Sequence, residues 1–216
     1  MNQFGDAFEA VGGNAKHLTR LGQSPSVLES LLKVLDGQGT FQLNQVVEVK
    51  APEPKKIVPV VLKEVTSDGV SGKDGIKDLE KARYNVGNWA KDVMKQKAYV
   101  VVNGKTYKPV VLKGEDFTDD ERVTSNIRKV AEEMGFITPP AELARLLRKS
   151  VSDEEIAAMG LYWLIVMHES ITASDGRPVV LGLSRDDGGR WLYAYRGNSD
   201  NRWFRENGVV FLAPQE

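Results

Sequence analysis

The chain has 216 residues, enough for one large domain or two small ones with a real core. Lys+Arg 29 against Asp+Glu 30 gives a formal net charge of −1, so no global basic field demands nucleic acid or an anionic membrane. With no cysteine, disulfide frameworks, thiolate nucleophiles and thiolate metal sites are all excluded.

The opening "MNQFGDAFEAVGG" lacks the basic start and apolar run of a signal peptide. The longest apolar run, Leu161 to Met167, falls far short of the roughly 20 residues that span a bilayer. A soluble cytoplasmic protein is therefore expected, with a virion as the other setting if the gene is a phage's. Next, Val27, Leu28, Leu31, Leu32 and Leu35 recur at helical spacing. Ser24 can cap that helix, Pro25 can sit in its first turn, and Gly37 and Gly39 end it. "FQLNQVVEVK" alternates as a strand, "APEPKK" punctuates it, and "IVPVVLKEV" is a second β-like run. "TSDGVSGKDG" reads as a polar, glycine-rich mobile loop, and "IKDLEKARYNVGNWAKDVMKQ" as a helical or irregular segment before the softest boundary. Two domains follow from this, 1–96 and 97–216.

From Lys97 onward "AYVVVNG" and "KPVVL" are β-rich, and Asn103-Gly104 offers a hairpin turn between them. Val123, Ile127, Val130, Ala131 and Met134 share one helical face, stopped by Gly135. "TPPAELARLLRK" predicts a second helix capped by Thr138, with Pro139 in its first turn and an apolar stripe of Leu143, Leu146 and Leu147. "SDEEIAAMG" carries a capping box, Ser152 with Glu155, and closes at Gly160. The remainder reads as antiparallel strands: "LYWLIVMHESI", "RPVVLGLS", "RWLYAYR" and "GVVFLAP". Asp175-Gly176, Asp187-Gly188 and Asn207-Gly208 supply the turns. "PVVL" occurs at Pro59, Pro109 and Pro178, which fits three similar buried strands better than a repeat.

The chain offers little for catalysis. Its two histidines are His17, in a polar helical stretch, and His168. In a strand, His168 and Glu169 point to opposite faces, so a structural histidine is expected there. The acidic run Glu115 to Glu121 stands where a helix begins, where carboxylates answer the helix dipole. "GVSGKDG" lacks Walker spacing, and there is no Gly-x-Ser-x-Gly elbow. No cofactor or metal is expected. The enzymatic alternative is a small prokaryotic or phage enzyme with a carboxylate site built from Glu169, Asp186 or Asp187; a phage structural or interaction protein is a further one.

In "RWLYAYR", Trp191, Tyr193 and Tyr195 fall on one face and Leu192 and Ala194 on the other. Periodicity alone admits either face as the wet one. Exposed, the aromatic face would be a binding surface, because rigid rings present large areas with few torsions to freeze. "RGNSDN" adds small polar residues, and Trp203 and Phe204 follow between Arg202 and Arg205.

The order of elements, with "MGFITPPAELARLL", "GRPVVLGL", "RWLYAYRGNSDNRW" and "GVVFLAP", resembles a C-type-lectin fold. More narrowly, it is similar to the ligand-binding domain of the target (variable) proteins of diversity-generating retroelements, as found in uncultivated bacteria and archaea and their viruses. The resemblance covers about residues 97–216 and leaves the N-terminal part unexplained. It implies an α+β protein with a C-terminal lectin-like domain, not an enzyme, that binds a protein or other macromolecular ligand. The binding residues it implies are Trp191, Tyr193, Tyr195, Arg196, Asn198, Ser199, Asp200, Asn201 and Arg202. Trp203, Val210 and Phe211 would be scaffold. The Glu-Pro-Asn and Trp-Asn-Asp tripeptides of calcium-dependent lectins are missing, so no calcium-held sugar site is implied.

Overall fold

Proline at the first turn and glycine after the last are the strongest local marks of a helix. Both hold for α1 (Pro25–Leu35), which Gly37 ends at φ 71°. The computed structural model describes residues 14, 16, 19, 23, 25–38, 56–186 and 189–214, without the side chains of Ser30 and Asp186. The expected strand at 41–50, the cap Ser24 and His17 lie outside the described residues. The chain divides into two units, Met1–Pro52 and Glu53–Glu216. In the first, Glu29 and Lys33 pair across one turn of α1 at 3.1 Å.

The second unit is α+β. It runs β1 (Val60–Val61), β2 (Val65–Asp68), α2 (Gly72–Lys81), β3 (Asn85–Val86), α3 (Asn88–Met94), β4 (Asn103–Tyr107) and β5 (Pro109–Lys113). After a 3-10 turn at Gly114–Asp116 come α4 (Thr124–Glu133), α5 (Glu142–Ser150) and α6 (Asp153–Ala158). The last stretch is β6 (Trp163–Val166), β7 (Ile171–Thr172), β8 (Pro178–Asp186), β9 (Gly189–Arg196) and β10 (Asn207–Leu212). One sheet orders its strands β1-β5-β10-β6-β8-β9-β3, with β7 beside β8; β2 and β4 form a separate pair. All three "PVVL" segments lead into strands of the large sheet.

The sheet is packed on both faces. Val111, Val210, Leu164, Val166, Leu181, Leu183 and Leu192 line one face, under apolar residues of α2, α3, α5 and α6. Val110, Leu112, Val209, Phe211, Ile165 and Val180 line the other, under Ile127 and Ala131 of α4, with Phe117 and Trp203. Burying each such side chain contributes roughly 1.5–3 kcal/mol. The second face is covered over β5, β10 and β6, and this cover thins toward β9.

Several expectations need correcting. The boundary at 96/97 falls inside the second unit, because β1 pairs with β5 and β3 with β9. The glycine-rich stretch is no loop: Thr66 to Asp68 belong to β2, and Ser71 caps α2 by accepting from the Asp74 N–H. Asn103-Gly104 makes no hairpin onto β5, since both edges of β5 are taken by β1 and β10; β4 pairs with β2 instead. Thr138 does not cap α5. Ile137 is held extended by paired bonds with Leu212, two prolines follow, and the helix starts at Glu142. The segment from Leu161 to Ile171 breaks at His168 into β6 and β7. Asn207 closes the turn from Phe204 and opens β10, but Gly208 lies within the strand, where a Cβ on it would come within 2.5 Å of Leu161 and 2.7 Å of Val111. The strands are also not all antiparallel: β10 runs parallel to β6, and β3 to β9. By contrast, the Ser152–Glu155 capping box is present at the head of α6, and Gly160 follows it at φ 77°.

Helix α5 carries its leucine stripe, but Glu142, Arg145 and Arg148 are fully buried too. A buried charge costs several kcal/mol unless it is matched. Glu142 accepts from Ser67 Oγ and Tyr107 Oη, each at 2.6 Å, and from the Val102 N–H at 3.2 Å. Arg145 makes a two-pronged pair with Asp68 and so holds that carboxyl below its usual range. Arg148 donates to Asp153 at 2.7 Å and to the carbonyls of Val151 and Ser184.

Candidate functional site

Strand β9 alternates in space as in sequence. Leu192 has no exposed surface, while Trp191, Tyr193 and Tyr195 stand half-buried on the opposite face. Ala194, expected inside with Leu192, is also only half-buried. The rings form a row: Trp191 stacks on Tyr193 at 4.7 Å and 7°, and Tyr195 meets Tyr193 edge-on at 6.3 Å. Tyr195 then meets Trp203 edge-on at 6.4 Å. Small residues make room for the row. Gly182 lies opposite Tyr193 on β8, and a Cβ there would come within 2.9 Å of the Tyr195 ring. Gly87 clears the Tyr193 ring in the same way, at 2.9 Å.

The segment after β9 is anchored by its backbone. The first two N–H groups of α4, which have no partner within the helix, donate outward. Thr124 donates to the Asn201 carbonyl at 3.0 Å, and Ser125 to the Ser199 carbonyl at 2.9 Å. Asn201 N–H closes a turn on the Asn198 carbonyl, and Trp203 N–H donates to Arg122. Trp203 is buried, and its indole N–H reaches Thr124 Oγ1 at 2.9 Å. Val210 and Phe211 are core residues. The main chain from 198 to 203 is thus tied to a helix end, while the side chains of Asn198, Ser199 and Asp200 are exposed. Arg196 and Arg202 are exposed as well, and Asn201 is half-buried. Arg202 donates to the Asp119 carbonyl at 3.0 Å and faces Asp120 at 3.7 Å.

Of the nine residues singled out in the sequence, Tyr195, Arg196, Asn201 and Arg202 line one cleft and Arg196, Asn198, Asp200, Asn201 and Arg202 the pocket beside it; Trp191 and Tyr193 continue the ring row from Tyr195, and Ser199 lines neither. Sequence reasoning missed three side chains that extend the strip formed by β9 and the segment after it. Trp163 on β6 lies across from Ser184 of β8, and its ring sits 6.4 Å from that of the exposed Phe204. With Tyr195 and Trp203 these two rings line a cleft of about 240 Å³. Arg177 joins Arg196 and Arg202 in an adjacent polar pocket of about 450 Å³. Trp163 was readable only as a strand residue, because nothing local signals that β6 and the 198–204 segment meet.

The groups considered for catalysis are engaged otherwise. His168 is buried; Leu181 N–H donates to its Nε2 at 2.8 Å, and its Nδ1–H donates to the Glu169 carbonyl at 2.6 Å. Burial pushes its pKa down to about 4, so the ring is neutral at physiological pH. Glu169 points into solvent, 85% exposed, with Arg128 at 3.6 Å. Asp187 and the side chain of Asp186 lie outside the described residues. In the acidic run before α4, Glu121 accepts from Thr118 N–H and Oγ1, which holds its carboxyl below the usual range. Asp119 pairs with the buried Arg122. Among the described residues no group of three His, Asp or Glu side chains is placed to hold a metal, and no helix is long and apolar enough to cross a membrane. No protein-family model, curated protein or solved structure matches the chain.

Proposed function

We propose that the protein is a non-enzymatic binding module, the target protein of a diversity-generating retroelement, displaying a variable surface on a C-type-lectin-like scaffold. The observation that carries this reading is the division of labour around β9. Backbone bonds and the buried face hold the main chain, while the side chains of residues 191, 193, 195, 196 and 198–202 are all half-buried or exposed. Such a surface tolerates changed side chains without changed backbone, which is what a diversified binding site requires. The order of elements supports the lectin-like reading: a strand (β5), helices, four further sheet strands (β6–β9), and a last strand that returns beside β5. The ligand is a protein or other macromolecule, gripped by rigid rings for area and by Asn, Ser, Asp and Arg side chains for orientation.

The test is a displayed library of the full chain randomised at those nine positions. Most members are expected to melt as the parent does, and panning against unrelated proteins is expected to yield binders with different residues in the strip. General loss of folding would overturn the reading. So would a genomic locus with neither a reverse transcriptase gene nor a near-copy of the codons for Arg190 to Pro214.

A further inference from the structure

The aromatic cleft and the arginine pocket share a wall: Arg196, Asn201 and Arg202 line both. The cleft is walled by the rings of Trp163, Tyr195, Trp203 and Phe204, and it suits a large apolar side chain. Phe204, 68% exposed beside these partly covered rings, is apolar surface with room for a partner. The neighbouring pocket differs in chemistry, lined by three arginines, Arg177, Arg196 and Arg202.

Two of those cations are already matched. Arg177 binds Asp175 through Nε at 3.0 Å and Nη2 at 2.9 Å, and lies over the Trp89 ring at 4.2 Å. Arg202 has Asp120 at 3.7 Å and the Asp119 carbonyl at 3.0 Å. Arg196 has no carboxylate partner among the described residues, and the remaining acid on the rim is the exposed Asp200. Three guanidinium groups thus stand against three carboxylates, Asp175, Asp120 and Asp200, so the local charge balances. A site of this kind has one uncommitted fork of donors. It matches the geometry of a single carboxylate, and it lacks the surplus positive charge that a dianionic phosphate needs.

Resting on the binding-module reading above, we propose that the strip takes a polypeptide segment presenting a large apolar side chain next to a carboxylate. The apolar group fills the aromatic cleft and the carboxylate pairs with Arg196. The ring-to-arginine arrangement sets a preference for acidic–apolar neighbours in the partner.

The experiment pans the full chain against a displayed library of random dodecapeptides. Synthetic peptides from the hits are then titrated, each alongside its Asp→Asn or Glu→Gln counterpart, with adenosine monophosphate as a separate probe. Hits are expected to place an acidic residue beside a large apolar one, and neutralising it is expected to weaken binding about tenfold or more. That difference should vanish in Arg196→Gln, while Phe204→Ala should weaken both peptides alike. Both substituted residues are exposed, and unchanged melting curves verify that the variants fold. Hits that need Phe204 but lose nothing on neutralisation would overturn the carboxylate preference and leave the binding-module reading standing. Adenosine monophosphate binding more tightly than the acidic peptides, with dependence on Arg196, would overturn it in favour of a nucleotide. Failure here together with failure of the randomised-surface selection would remove the reading on which it rests.

Discussion

Lowering the pH from 8 to 5 is expected to destabilise the second unit through one residue, His168. Its ring is buried, its Nε2 must stay unprotonated to accept the Leu181 N–H, and Arg128 donates to its own carbonyl at 2.6 Å. All three disfavour the imidazolium, and the folded pKa lies at about 4 against 6.5 for a free histidine. Between those values the unfolded chain binds a proton that the folded chain refuses, so stability falls as pH falls. With these two pKa values, the loss between pH 8 and pH 5 comes to about 2 kcal/mol. The carboxyls whose pKa values are lowered in the fold, such as those of Asp68 and Glu121, lose their contribution only below the free values of 3.8 and 4.5. They therefore leave most of this window clear. The assay is urea unfolding followed by tryptophan fluorescence at pH 8, 7, 6 and 5. All four tryptophans lie in the second unit, so the signal reports on it alone. His168→Gln, whose side-chain oxygen can still accept from Leu181, serves as the comparison and removes the contribution of other titrating groups. Parallel pH profiles for the two proteins would refute the argument.

Four other variants probe the fold and the strip. Gly72→Ala places a Cβ 1.7 Å from the Met94 carbonyl oxygen, a backbone atom that cannot yield, and is expected to cost about 3 kcal/mol or more in urea unfolding. Glu142→Gln turns one acceptor into a donor facing the donors Ser67, Tyr107 and Val102, and should cost about 1–3 kcal/mol by the same measurement. Replacing Asn198, Ser199 and Asp200 together with Ser, Asn and Asn should shift stability by less than about 0.5 kcal/mol, because only their backbone is engaged. Thr124→Val, which strands the buried Trp203 indole N–H, should cost about 1–2 kcal/mol.

Local signals were legible wherever the physics is local. Pro25 and Gly37 bracket α1, Ser152 and Glu155 form their box, and the alternation in "RWLYAYR" is a property of any extended chain. The nine residues singled out are neighbours in sequence, so their place on one strand and the segment after it was readable without a structure. Trp163 and Arg177 were not, since pairing of β6 with β8 and of β8 with β9 brings them near these residues from distant segments.

Tertiary structure decided what depends on distant partners. Asn207-Gly208 carries a turn signature, yet only Asn207 closes a turn, while Gly208 lies inside β10 with no room for a Cβ beside Leu161 and Val111. Arg145 and Arg148 look like the polar side of an amphipathic helix and are buried because Asp68, Asp153 and carbonyls from elsewhere meet them. Composition and periodicity determined an α+β chain without cysteine chemistry and with an aromatic face on β9. Which face of that strand meets water followed only from packing: helices close over Leu192, while α4 covers the other face over β5, β10 and β6 and leaves the aromatic row half open.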